Sequence, residues 1–199
     1  MQAMIQVGIM GGTFDPIHIG HMVAAETARE AAGLDEVWFI PSAVPPLKNR
    51  EPSASGEQRL EMVYRAVDFQ PYFRAMDIEL ERGGVSYSID TVKELQELYP
   101  GRAFTYIVGA DRLYDLNGWH RVEQLAELVS FIGLERPGHS VDTASLPSYI
   151  SDKLRIVRMP QLDISSTDIR GRRAAGRSIR FLVPDKVYSF VIRNHLYEA

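Results

Sequence analysis

His18 and His21 stand three residues apart in the run Ile17-His18-Ile19-Gly20-His21, directly after Gly11-Gly12-Thr13-Phe14-Asp15-Pro16. Residues three apart on a helix are neighbours on one face, so the two imidazoles should meet. Imidazoles held side by side can donate hydrogen bonds to an anion and stabilise charge on it. The glycine pair lets main-chain N–H groups approach a bound group closely, because no Cβ stands in the way. A helix starting at this point adds unsatisfied N–H groups and a partial positive charge. A glycine turn followed by paired imidazoles at a helix start makes a phosphate site.

The elements around it must hold that site in place. Ile5, Val7, Ile9 and Met10 form an apolar run of strand length that ends at Gly11-Gly12, and an alanine-rich helix-prone stretch follows from Ile19. Gly33 reads as a glycine just past that helix. Residues 36–40 (EVWFI) predict a second buried strand. Residues 42–56, with Pro45, Pro46 and Pro52, predict a loop bearing Lys48 and Arg50. That loop suits either a lid over a phosphate or an ordinary solvated turn. Residues 57–69 predict an amphipathic helix with Leu60, Val63, Tyr64 and Val67 facing the core. Met76, Ile78 and Leu80 alternate with polar residues, which predicts a strand with one wet face. Ser88 reads as the N-cap of a helix running to about residue 99.

Residues 104–108 (FTYIV) predict a buried strand ending at Gly109-Ala110-Asp111. Ligands of open α/β sheets sit outside the carboxyl ends of the strands, so Gly11 and Gly109 are expected at one cleft. Asp111 there suits a ribose hydroxyl or a helix cap. A helix over 122–128 and a strand over 129–134 lead to Arg136. Residues 139–153 predict a loop, and 154–157 a last short strand. Ser165 or Ser166 should cap a helix that carries Arg170 one turn on. A terminal helix from 184 to about 195 turns Val187, Phe190 and Val191 inward. Alternating strands and helices predict an α/β fold, doubly wound around a mainly parallel sheet. It should form a single domain over 1–199, with a small helical C-terminal part from about residue 165.

Net charge is −4, from 22 Lys and Arg against 26 Asp and Glu, so nothing global points to nucleic acid or an anionic membrane. The sequence has no cysteine, which removes disulfides, thiolate zinc sites and cysteine nucleophiles. It shows no signal peptide and no apolar run near the roughly 18 residues a membrane span needs. A cytoplasmic protein is expected. A His-x-x-His pair can ligate a metal, but no third ligand at suitable spacing is visible, and no protein-held metal is assigned. His120, His139 and His195 lack comparable context and read as surface. No G-x-G-x-x-G fingerprint, P-loop or nucleophile elbow is present.

The run GGTFDPIHIGH, followed in order by Gly109-Ala110-Asp111, Trp119, Arg136-Pro137-Gly138 and Ser165-Ser166-Thr167-Asp168-Ile169-Arg170, resembles the H-x-G-H nucleotidyltransferases. Within them it is most similar to the bacterial nicotinate mononucleotide adenylyltransferases. The resemblance implies a Rossmann-like nucleotidyltransferase fold and transfer of the ATP adenylyl group to nicotinate mononucleotide, with Mg²⁺ accompanying ATP. It implies catalytic roles for His18, His21 and Arg170. ATP would be bound by Gly11, Gly12, Thr13, Phe14, His18, His21, Gly109, Asp111, Arg136, Ile164, Ser165, Ser166 and Arg170. The pyridine nucleotide would meet Thr13, Lys48, Ser88 and Trp119. Nicotinamide mononucleotide or phosphopantetheine as acceptor, and a non-catalytic nucleotide-binding module, are the alternatives. A homodimer is a common assembly and is left open.

Overall fold

The computed structural model describes residues 4–45, 51–135 and 141–199, apart from the Asp111 side chain. In chain order the elements begin β1 (Ile5–Gly12), α1 (Ile19–Ala32), β2 (Glu36–Pro41), α2 (Gly56–Val67), β3 (Phe73–Ala75), α3 (Ile78–Arg82) and α4 (Ser88–Leu98). They continue with β4 (Arg102–Gly109), α5 (Ala110–Leu113), α6 (Val122–Leu128), β5 (Ser130–Glu135), α7 (Ser148–Ser151), β6 (Leu154–Arg158), α8 (Ser166–Ala174) and α9 (Asp185–Arg193). Six strands form one sheet in the order β3-β2-β1-β4-β5-β6. The order reverses between β1 and β4, which is the switch point of a doubly wound α/β fold. In folds of this kind the crossovers are right-handed and carry helices to both faces. No helix among the described residues is long and apolar enough to cross a membrane.

The chain divides into two compact units. The first comprises residues 1–10, 24–38 and 86–161. Its strands are parallel: Val7 pairs with Phe104, Tyr106 with Phe131 and Gly133 with Ile156. Val7, Ile9, Phe131 and Ile132 are almost wholly buried, as expected of strands covered on both faces, which read as continuous apolar runs. A Cβ on Gly133 would lie 2.6 Å from Leu113 Cδ1 and 2.8 Å from Ile156 Cδ1, so both side-chain ends pack close over the glycine and would have to shift.

The second unit comprises residues 11–23, 39–85 and 162–199. Its helix α2 starts with a capping box: Ser55 Oγ accepts the Gln58 N–H at 3.2 Å, and Gln58 Oε1 accepts the Ser55 N–H at 3.0 Å. The buried stripe of α2 is Arg59, Met62, Val63, Ala66 and Val67. The expected stripe was off by about one residue: Val63 and Val67 are buried, Leu60 is half-buried and Tyr64 is 43% exposed. The reason is that Arg59 occupies a core position. Residues 76–80 also depart from expectation. The strand ends at Ala75, after which the Met76 N–H bonds to the Phe39 carbonyl. The chain then coils into α3, with Glu81 N–H bonded to Asp77 O and Gly83 N–H to Glu79 O. A helix this short can display period-two alternation by coincidence, and Ile78 and Glu79 are both buried in it. In α9, Val187 and Val191 are buried, while Phe190 is half-buried under the Arg65 guanidinium.

Candidate active site

In the second unit, β1 runs to its end at Gly12, whose carbonyl accepts the Ser42 N–H at 2.9 Å. A Cβ on Gly12 would lie 3.0 Å from the Phe14 ring, so the ring packs closely over the glycine and a larger residue would press on it. Phe14 itself has φ of 51°, the left-handed region that bulky residues avoid. Its ring stands edge-on to His21 at 5.1 Å and is tilted against Phe39 at 5.9 Å.

The imidazoles meet as the spacing predicts. Their rings stack with centroids 3.7 Å apart and planes 25° from parallel. His18 precedes the first helical residue, and its carbonyl accepts the N–H groups of His21 and Met22. His21 Nδ1 in turn accepts the His18 N–H at 3.2 Å. This is one arm of a capping box, with an imidazole at the third helical position where glutamate or glutamine is usual. The bond also sets the tautomer: with Nδ1 accepting, neutral His21 carries its proton on Nε2, where it can be donated. Gly20 leaves the His18 ring room, since a Cβ there would stand 3.0 Å from His18 Nδ1 and 3.1 Å from its Cε1 and would press the ring aside. His18 is buried and His21 half-buried.

Helix α8 binds the same loop from beyond the far end of the sequence motif. Ser165 is its N-cap, accepting the Asp168 N–H at 3.0 Å. The Ser166 hydroxyl is not a cap and donates instead to the Pro16 carbonyl at 2.9 Å. Arg170 Nη1 donates to the Asp15 carbonyl at 2.7 Å and lies 3.7 Å from an Asp15 carboxylate oxygen. Ile164 enters this group through its carbonyl, which would lie 3.9 Å from a Cβ on Gly20. The unit therefore gathers Gly11, Gly12, Thr13, Phe14, His18, His21, Ile164, Ser165, Ser166 and Arg170 around one loop.

Sequence reasoning passed over three residues here. The Asp15 carboxylate accepts the N–H groups of Ser53 at 2.8 Å and Ala54 at 3.1 Å and the Tyr197 hydroxyl at 2.8 Å. Arg59 Nη1 donates to the Thr13 carbonyl at 2.8 Å. Burial pushes the Arg59 pKa below its ordinary value, and the Asp15 charge opposes that shift. Asp15 was visible inside the motif, whereas Arg59 is revealed as a core residue only by the buried stripe of α2. Tyr197 gave no local signal.

The first unit holds a different set. Gly109 is the residue before α5, which opens at Ala110-Asp111, and the Asp111 side chain lies outside the described residues. Trp119 is half-buried and meets Tyr106 edge-on at 5.4 Å. Ser88 is the first residue of α4 and not its N-cap, which is Tyr87 without a side-chain cap bond. Its hydroxyl donates to the Tyr106 hydroxyl at 3.0 Å. His120 is exposed, as expected, and its ring lies 4.4 Å from Tyr87. Lys48 and Arg136 lie outside the described residues.

The cytidylyltransferase-like family model matches residues 9–172, most of the chain. A probable nicotinate-nucleotide adenylyltransferase of Salinibacter ruber is 43% identical over 191 residues, covering 96% of this chain and 97% of that protein. The nicotinate-nucleotide adenylyltransferase of Bacillus subtilis is 40% identical over 196 residues, covering 98% and 100%. Among solved structures, a Plasmodium falciparum nicotinic acid mononucleotide adenylyltransferase complexed with NaAD superposes with a TM-score of 0.79 over 96% of this chain and 97% of that one. At 21% identity that likeness speaks for the fold. A glycine turn, stacked histidines and a serine-capped helix on one loop, with relatives above 40% identity over nearly the whole length, place this chain in the nicotinate-nucleotide adenylyltransferase family of cytidylyltransferase-like proteins.

Proposed function

We propose that the protein transfers the adenylyl group of ATP to nicotinate mononucleotide, releasing pyrophosphate and forming nicotinate adenine dinucleotide. The observation that carries the reading is the stacked pair His18–His21, with His21 Nδ1 engaged by the His18 N–H. A group that only grips ATP has no need of two imidazoles in that geometry, whereas a transferring phosphoryl group gains most from positioned charge and donors.

An oxygen of the mononucleotide phosphate attacks the α-phosphorus of ATP in line. The bond from that phosphorus to the bridging oxygen breaks, and the leaving electron pair departs with pyrophosphate. His21 donates from Nε2, and His18 stacks against it to share the developing charge. The α8 start and Arg170 hold the triphosphate. The family resemblance implies that Mg²⁺ would accompany ATP as part of the substrate and would neutralise charge on its phosphates. By family resemblance Gly109, Asp111 and Arg136 contact ATP, while Thr13, Lys48, Ser88 and Trp119 contact the mononucleotide.

Incubation with ATP and Mg²⁺, plus separately nicotinate mononucleotide, nicotinamide mononucleotide or phosphopantetheine, tests the reading by quantifying dinucleotide and pyrophosphate. Turnover of the acid is expected. Product from the amide alone or from phosphopantetheine alone would reassign the acceptor, and silence from all three would leave a nucleotide-binding module.

A further inference from the structure

We propose that Tyr197 is a positioning residue that acts through the Asp15 carboxylate to hold the 13–18 loop and Arg170 in working geometry. The proposal rests on the adenylyl-transfer reading. Asp15 is 5% exposed, and its carboxylate is shared between two segments distant in sequence: residues 53–54, which lead into α2, and Tyr197. Three carbonyls of the loop are taken from outside it. Thr13 accepts from Arg59, Asp15 from Arg170 and Pro16 from Ser166. With those carbonyls pinned, the loop orientation that delivers His18 to the start of α1 depends on this outer layer.

Tyr197 completes the layer by a specific route. After α9 the chain turns through His195 (φ 52°) and Tyr197 (φ 61°), both left-handed, and the Leu196 N–H bonds back to Val191 O. Non-glycine residues hold such angles only where the surroundings over-determine them. The phenol lands between Asp15 and Met62, with its oxygen 3.9 Å from the Met62 sulfur. The next residue, Glu198, pairs with Arg173. Residues 197–198 thus reach α8 at two points one turn apart: through Asp15 to Arg170, and directly to Arg173. Burial, and then the neighbouring Asp15 charge, push the phenol pKa well above its ordinary value, so it stays a donor.

Tyr197→Phe removes the donor and keeps the ring. The expected result is a roughly tenfold lower kcat/KM for ATP and a roughly fivefold weaker ATP affinity by calorimetry, with KM for the mononucleotide within about twofold and Tm within a few degrees. Asp15→Asn should lose activity similarly, and the double variant should lose little more, because the two residues act as one unit. An unchanged kcat/KM and Kd for ATP in Tyr197→Phe, an equal rise in both KM values, or fully additive losses would overturn the proposal. If Asp15→Asn does not fold, Tyr197→Phe alone decides. Should the wild type make no dinucleotide, the functional reading fails, and the ATP affinity of wild type against Tyr197→Phe still decides the positioning role.

Discussion

The loop from Thr13 to His18 and the cluster of Ser88, Tyr106 and Trp119 are both expected to touch substrate, yet they are built by different means. The loop is held through its main chain, whose carbonyls receive Arg59, Arg170 and Ser166, and through the buried Asp15. The described contacts within the cluster include an edge-on ring contact and a hydroxyl–hydroxyl bond. A main-chain anchor fixes direction tightly, as positioned charge requires, and loses its partner outright when one side chain is removed. A ring contact is broad and shallow. It tolerates small shifts, which suits a flat ligand that needs a surface more than an angle.

Five substitutions press on that difference. The largest effect is expected from His18→Ala or His21→Ala, with kcat falling about 10²- to 10³-fold while the circular dichroism spectrum is retained. Near-normal turnover in either variant would show that the stacked pair does not serve the chemistry. Arg59→Leu should come next. It leaves Asp15 short of a buried cation and Thr13 O without its donor, and should cost about 3 kcal/mol in denaturant unfolding. A cost below about 1 kcal/mol would mean the loop is not held from α2. In the aromatic cluster, Trp119→Ala should raise KM for the mononucleotide about tenfold or more, as expected for a lost stacking surface, with the ATP KM little changed. Equal rises in both would place the pyridine pocket elsewhere. Ser88→Ala is expected to do least, about a two- to threefold change in mononucleotide KM. A loss as large as that of Trp119→Ala would show that the hydroxyl, and not the ring surface, governs the site.

The same contrast explains what could be read from the sequence. The parallel strands were legible because buried strands are continuous apolar runs, as in residues 104–108. The histidine pair and a serine cap at 165 or 166 were legible because such spacing is local, and the structure assigns the cap to Ser165. Arg59 was not, because a lone charge on a helix is ordinarily solvent-facing and only the distant Thr13 and Asp15 make it a core residue. Ser88 reads locally as a helix cap, but its partner is Tyr106, 18 residues away. The 76–80 segment shows a pattern too short to distinguish strand from helix, and the bonds from Glu81 N–H to Asp77 O and from Gly83 N–H to Glu79 O settle it as helix.

The hydrogen bond from Tyr197 to Asp15 closes a span of 182 residues. A ribosome extending a chain at about 5–20 residues per second makes Asp15 roughly ten to forty seconds before Tyr197. Throughout that interval the glycine turn lacks the phenol that joins Asp15. Contacts this distant in sequence close late, since loop entropy must be overcome before they return anything. The glycine turn thus acquires the hydroxyl that completes its outer layer long after its own residues have been made.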